Sequence, residues 1–155
     1  YPAGDPVAPA NVPFDFCFGL TMMAQPLAWC EASHLPAEAF DIAPLVREYR
    51  RHQARIHAGR IFPIGEEPSG GAWTGFQSVQ PDGGFVAVYR EWNPRVRARI
   101  RLWQPPAGPA EFRPILGAGA AFTAMPDADG RVEFELPAPQ TFAVYEYGRP
   151  AAGRV

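Results

Sequence analysis

The stretch 95–103 constrains the fold more than any other part of the chain. Its residues alternate between arginine and apolar side chains, in the order Arg95, Val96, Arg97, Ala98, Arg99, Ile100, Arg101 and Leu102. Successive side chains of a strand point to opposite faces, so this period of two predicts a β-strand and excludes a helix. Residues 131–136 repeat the pattern with glutamates on the polar face. If the two strands are neighbours, opposite charges face each other across the ladder.

Further short strands are predicted around this one, about seven in all. Their segments are 73–79, 85–91, 95–103, 111–116, 120–125, 131–136 and 141–147. Both faces of 85–91 are apolar, which predicts a central strand. Pro114 predicts that 111–116 is a short or edge strand. Short strands at this spacing predict a mainly β fold, with an antiparallel β-sandwich favoured and a meander as the alternative.

One long amphipathic helix is predicted before the strands. Its apolar stripe consists of Ile42, Leu45, Val46, Tyr49, Gln53 and Ile56. Asp41 is suited to cap this helix and Gly59 to end it. The apolar run at 14–29 is consistent with a strand, a short helix, or both in succession, and it is too interrupted to span a bilayer.

The pattern divides the chain into four parts. Residues 1–60 hold an arm, the apolar segment and the helix; residues 61–72 form a linker rich in turn residues; residues 73–148 form the β-domain; residues 149–155 form a tail. Forty-seven per cent of the 155 residues are apolar, enough for one ordinary core.

Composition also limits the partners and the compartment. The net charge of −2 gives no general attraction to nucleic acid or to an anionic membrane, so neither is predicted as a partner. Cys17 and Cys30 are the only cysteines, and two reduced, buried thiols are favoured over one disulfide. No signal-peptide pattern opens the sequence, which favours the cytoplasm over secretion.

Residues of possible chemical interest have simpler structural explanations. The arginine row is either an anion-binding stripe or a solvated face, and the solvated face is favoured. Asp127, Asp129 and Gly130 resemble the start of a calcium loop, but the later ligands are missing, so a turn is predicted. The three histidines, His34, His52 and His57, have no partners at metal-binding spacing. We therefore predict no metal and no cofactor.

Acids and tryptophans are the remaining candidates for sugar chemistry. Glu66 and Glu67 are adjacent, whereas the two carboxylates of a glycosidase flank one bond from separate elements. No catalytic residue is predicted from these acids. Exposed aromatic rings can act as platforms for sugar C–H groups, and the candidates are Trp29, Trp73, Trp92 and Trp103, although most are expected to be core anchors.

Two segments carry a resemblance to a known family. The first is Met22-Met23-Ala24-Gln25-Pro26-Leu27-Ala28-Trp29, and the second is the helix end from Tyr49 to Arg60, with Ile56 and Gly59 in its last turn. With Trp73-Thr74-Gly75-Phe76-Gln77 after the linker, they resemble the end of an α-galactosidase-type glycoside hydrolase. Such enzymes close a (β/α)8 barrel with a strand and a long helix, and then continue into an antiparallel C-terminal domain.

The resemblance implies a limited set of functional residues. The two catalytic aspartates of that family come from earlier barrel strands, so it assigns no catalytic residue here. Met22, Met23, Gln25 and Trp29 would border the sugar pocket, since barrel active sites lie at the C-terminal ends of strands. The glycine-rich turn usual after the last strand is replaced by Gln25 to Trp29, a departure that bears on sugar preference.

Two functions are therefore predicted. The first is a C-terminal accessory region of a retaining glycoside hydrolase acting on α-galactoside-like sugars, with a structural and substrate-entrance role. The carbohydrate would be bound through an upstream barrel. The alternative is a stand-alone carbohydrate- or protein-binding β-sandwich without catalysis. The apolar surface of 14–29 and of the helix stripe would be covered by the barrel, or by a second copy of the chain in a homo-oligomer.

Overall fold

The computed structural model describes residues 11–26, 33 and 35–148. They form a mainly β fold with two α-helices, a short 3-10 helix and eight strands. The helices are α1, Phe14–Thr21, and α2, Ala43–Ala58, with the 3-10 turn Ala37–Phe40 between them. The strands are β1, Arg60–Gly65; β2, Trp73–Gln80; β3, Gly83–Arg90; β4, Arg97–Arg101; β5, Ala110–Gly117; β6, Phe122–Ala124; β7, Arg131–Glu135; and β8, Thr141–Gly148.

The strands make two antiparallel sheets. The larger has six strands in the order β1-β2-β3-β8-β5-β6, and the smaller pairs β4 with β7. The prediction of a central strand at 85–91 is confirmed, because β3 lies between β2 and β8. Both faces of β3 carry apolar side chains because other parts of the chain pack against both of them.

Two apolar clusters occupy the opposite faces of the six-stranded sheet. Val86 and Val88 of β3 belong to a cluster with Ile100, Val132 and Phe134 of the smaller sheet. The alternate residues of β3 join a second cluster, in which the sheet packs against the helices; its members include Phe85, Ala87, Tyr89, Tyr49, Ile56 and Phe16. The period of two in β3 thus places one set of side chains against the helices and the other against β4 and β7.

The arginine strand and the glutamate strand are neighbours, which is the condition under which the sequence predicts opposite charges across the ladder. In the β4–β7 register, Arg97 lies opposite Glu135 and Arg99 opposite Glu133. The Arg97 Nε and Glu135 Oε2 atoms are 2.8 Å apart. Both side chains are exposed, so this ion pair contributes little to stability and mainly favours the observed register.

Two features differ from the sequence prediction, and an alternative that the sequence left open is decided. The described residues form eight strands where about seven are predicted, because 60–65 form β1, mostly within the predicted linker. Pro63 is tolerated there since β1 is an edge strand. The described residues also hold a second α-helix, α1, which is the short helix that the sequence allowed in the run at 14–29. The strand containing Pro114 is flanked by β8 and β6, but β6 pairs only as far as Phe112, so Pro114 lies where β5 has no outer partner.

Two smaller expectations were wrong. Asp41 does not cap α2, because the 3-10 turn continues into the helix and Ile42 takes the N-cap position without a side-chain hydrogen bond. Cys17 is an exposed free thiol, since α1 buries Phe16 and Gly19 on a narrow face that excludes position 17. Cys30 lies outside the described residues. Within the described part of the chain, no helix has the length and apolar character needed to cross a bilayer.

Candidate functional site

The residues predicted to border a sugar pocket follow helix α1. Met22 is the C-cap residue of α1 and is fully buried, and Met23 is buried beside it. Gln25 is exposed three residues after Met22. Trp29 and His34 lie outside the described residues. The structure therefore brings Met22 and Met23 into the core between helix and sheet and leaves Gln25 at the surface.

Three hydrogen bonds fix this segment. The Tyr49 hydroxyl donates to the Met22 carbonyl at 2.8 Å, and the Tyr89 hydroxyl donates to the Gly19 carbonyl at 2.9 Å. Because the Tyr49 hydroxyl donates its one proton to the Met22 carbonyl, its oxygen accepts a hydrogen bond from His57 Nε2, 3.0 Å away. Burial raises the pKa of both tyrosines, so both hydroxyls stay protonated and keep donating at neutral pH.

A separate groove lies between the two sheets, where the edge strand β1 faces β4. Its volume is about 630 Å³, within the range of small-molecule sites. One wall is contributed by Pro63, Ile64, Gly65 and Glu66, and the other by residues 98–103 together with Arg131, with Trp73 also lining the groove. The β1 and β4 edges that face each other here each have a partner strand on only one side.

An aromatic ring is exposed at this groove. Trp103 is 63% exposed and stacks on Phe62 of β1, with ring centroids 4.6 Å apart and planes within 6°. Trp73 is a core anchor, as expected for most of the tryptophans, and its Nε1 donates to the Arg95 carbonyl. Trp92 is half exposed at another place on the surface. Of the described tryptophans, Trp103 has the most exposed ring.

Charges at the groove are unevenly paired. Arg99 makes an ion pair with Asp127. Arg101 lies directly opposite Arg131 in the β4–β7 register, and Arg101 has no ion-pair partner among the residues that the structure describes. Arg131 donates to the Arg99 carbonyl through Nη1. Like charges that face each other across a ladder destabilise it, so this end of the arginine row differs from the paired end at Arg97.

The two adjacent glutamates of the sequence are in different positions relative to the groove. The Glu66 carboxylate accepts a hydrogen bond from the Trp73 backbone N–H at 3.2 Å, so it is fixed at the groove. Glu67 does not line it. Among the described residues, no group of three or more His, Cys, Asp or Glu side chains is placed to hold a metal ion. The turn at Asp127 is closed by the Asp127 side chain, whose Oδ1 accepts from the N–H groups of Asp129 and Arg131.

Comparison with known proteins adds no relative: no family model, curated protein or solved structure matches this chain.

Sequence reasoning found part of the groove. Trp103 was a candidate platform and Arg101 belonged to the candidate anion stripe, but nothing in the sequence joined them. The missing partner was Phe62, which lay in the predicted linker. The apolar run Ile61, Phe62, Pro63 and Ile64 is the signal that could have identified a strand there, and Pro63 obscured it.

Proposed function

We propose that this chain is the C-terminal accessory region of a glycoside hydrolase that acts on α-galactoside-like sugars. In this proposal it supplies no catalytic carboxylate. It supports the end of the barrel and helps to shape the entrance to the sugar pocket. The residues of the α-galactosidase resemblance, and the hydrogen bond that joins its two segments, support this role.

The main support is the hydrogen bond from Tyr49 to Met22. The two residues belong to the two segments that carry the resemblance, and they are 27 positions apart. A buried hydroxyl bonded to a buried carbonyl holds both segments in one arrangement, because breaking it leaves a polar group without a partner. Such a link would fix the segment that leads to Gln25, which among the described candidates is the one at the surface.

The β-domain would then act as a support. Tyr89 in the centre of the six-stranded sheet holds the last turn of α1 through Gly19. In the proposal the two sheets act as one β-sandwich. Phe134 of the smaller sheet contacts Phe112 edge-on with centroids 5.7 Å apart, and it also contacts Tyr145. A rigid sandwich would restrict the motion of α1, which packs on it and leads to Gln25.

A second candidate function is a stand-alone binding module for carbohydrate or protein. The observation that favours it is the packing of the helices. Tyr49 and Ile56 of α2, and Phe16 of α1, bury their side chains in the cluster on the chain's own sheet. This part of the apolar surface therefore needs neither a barrel nor a second copy to cover it.

Kinetics of the full gene product, including any upstream reading frame, test the first proposal. We expect hydrolysis of a nitrophenyl α-galactoside, and Tyr49→Phe should raise KM severalfold with a smaller change in kcat, because the segment between Met22 and Gln25 loosens. Tyr145→Phe is the matched control and should leave KM unchanged. An upstream sequence without alternating strands and helices, or a Tyr49→Phe variant with the parent KM, would overturn the proposal and leave the binding module.

A further inference from the structure

The groove between β1 and β4 has the parts of a saccharide-binding site. Trp103 is held by its stack on Phe62, which covers one face of the indole and leaves the ring 63% exposed. A sugar ring can place its C–H groups on an exposed aromatic face, and a ring already fixed by stacking loses little freedom when it binds. This platform is therefore preorganised.

The charges at the groove favour an acidic ligand. Three arginines, Arg99, Arg101 and Arg131, line it together with one acid, Glu66. Two more acids lie outside the lining beside Arg99: Asp127 makes an ion pair with it and Glu133 is opposite it in the β4–β7 register. Arg101, which has no ion pair among the described residues, faces Arg131. A carboxylate placed between the two guanidinium groups would relieve their repulsion and accept charge-assisted hydrogen bonds.

The polar wall of the groove suits hydroxyl groups. The Glu66 carboxylate is fixed by the Trp73 N–H and lies at the opposite wall from Arg101. Sugar hydroxyls both donate and accept hydrogen bonds, so the hydroxyls of a sugar ring on Trp103 can donate to the Glu66 carboxylate and accept from the Arg101 guanidinium group.

We propose that this groove binds an acidic saccharide, with a sugar ring on Trp103 and its carboxylate between Arg101 and Arg131. The groove is on the side of the smaller sheet, whereas Met22 and Met23 pack on the helix side. It is thus separate from the predicted sugar pocket, and the proposal does not depend on the hydrolase assignment.

Nucleic acid and peptide fit the groove less well. A nucleic acid strand would extend along the arginine row, where Glu135 and Asp127 already neutralise Arg97 and Arg99. A peptide strand added to the β1 edge would meet Pro63, which has no N–H to donate. A ligand with one sugar ring and one acidic group matches the Trp103 platform and Arg101, which has no ion pair among the described residues.

Calorimetric titration of the 155-residue chain tests the proposal, with a galacturonic acid trisaccharide and the neutral galactose trisaccharide as probes. We expect the acidic probe to bind at least tenfold more tightly than the neutral one, and its affinity to fall as salt rises. Trp103→Ala and Arg101→Gln should each weaken binding of the acidic trisaccharide about tenfold or more, because the first removes the stacking platform and the second removes one charge-assisted hydrogen bond.

Two control variants separate local from general effects. Arg113→Gln removes an exposed arginine of β5 outside the groove, and Trp92→Ala removes the half-exposed tryptophan elsewhere. Both should bind the acidic probe as the parent chain does. The groove variants should keep the parent far-UV spectrum and melting temperature, because both side chains are exposed. Absence of binding, equal affinity for the neutral probe, binding unaffected by Trp103→Ala, or preferential binding of a single-stranded oligonucleotide would each overturn the proposal.

Discussion

The hydroxyl of Tyr89 donates a hydrogen bond to the carbonyl of Gly19 across 70 positions of sequence. Tyr89 lies in the central strand β3, and Gly19 in the last turn of α1, whose carbonyls have few partners within the helix. The ring of Tyr89 also contacts Phe16 edge-on, with centroids 6.4 Å apart. One side chain therefore combines apolar packing with the satisfaction of a helix end.

Replacing Tyr89 by Phe tests the value of this bond. The ring would still pack, and the Gly19 carbonyl would keep the Met22 N–H as a donor at 3.2 Å, so we expect the free energy of unfolding to fall by the net contribution of one hydrogen bond, about 0.5–1.5 kcal/mol. Urea denaturation followed by circular dichroism measures the change. Tyr145→Phe is the matched control, because Tyr145 is equally buried and its hydroxyl makes no hydrogen bond to the described residues. Equal losses in the two variants would contradict the argument.

Gly75 in β2 is required by a close approach of two strands. A Cβ placed there would lie 2.2 Å from the carbonyl oxygen of Ala87 in β3. Because backbone cannot move aside as a side-chain tip can, Gly75→Ala should lower the free energy of unfolding by about 1–3 kcal/mol. Gly71→Ala, where a Cβ meets nothing within 4 Å, should instead raise it by up to about 1 kcal/mol by restricting the unfolded chain. Thermal melts of both variants distinguish the two outcomes.

Local patterns predicted the strands well because their period depends only on which face is buried. The alternation at 95–103 gave β4, and the acids of 131–136 gave its partner, confirmed by the ion pair of Arg97 with Glu135. Helix α2 was predicted to end at Gly59, and it ends at Ala58 with Gly59 as C-cap. In each of these cases the burial pattern and the local propensity agree.

What could not be predicted depends on distant contacts. The placement of β8 between β3 and β5 follows from cross-strand packing, which no single segment encodes. Strand β1 was missed because Pro63 is acceptable only at an edge, and an edge is defined by the whole sheet. The groove was missed for the same reason, since Trp103 and Phe62 meet only when β1 and β4 lie side by side.

Gln77 holds the proline-rich loop at 104–109. Its side chain is fully buried; Nε2 donates to the Gln104 carbonyl and to the Tyr147 hydroxyl, and Oε1 accepts from the Gln104 N–H. Gln77→Leu keeps the volume but leaves Gln104 without these partners. We expect faster amide hydrogen exchange in the segment 104–110, with little change in β3. Thr123→Ala, at an exposed position of β6, should leave exchange in that loop unchanged. Unaltered protection of the loop in the Gln77 variant would show that other contacts hold it.

Asp127 should make stability depend on pH below about 4. The Arg131 N–H, the Asp129 N–H and the charges of Arg99 and Arg131 all favour the carboxylate, and together they hold its pKa below the ordinary value. A carboxyl group whose pKa is lower in the folded state stabilises the fold above its unfolded pKa of about 3.9. That stabilisation is lost as pH falls from there through the lower folded pKa.

Asp127→Asn removes the titration but keeps an oxygen that can accept the two backbone hydrogen bonds. Its urea midpoint should lie below that of the parent chain at pH 6, and the gap should close as pH is lowered from about 4 towards 2, because the parent carboxyl group becomes protonated. Asp129→Asn makes the same charge change in the same turn, where the structure gives the side chain no hydrogen bond to the backbone, and its midpoint should follow the parent at every pH. A gap between the parent and the Asp127 variant that stays constant down to pH 2 would mean that the carboxylate charge contributes nothing to this turn.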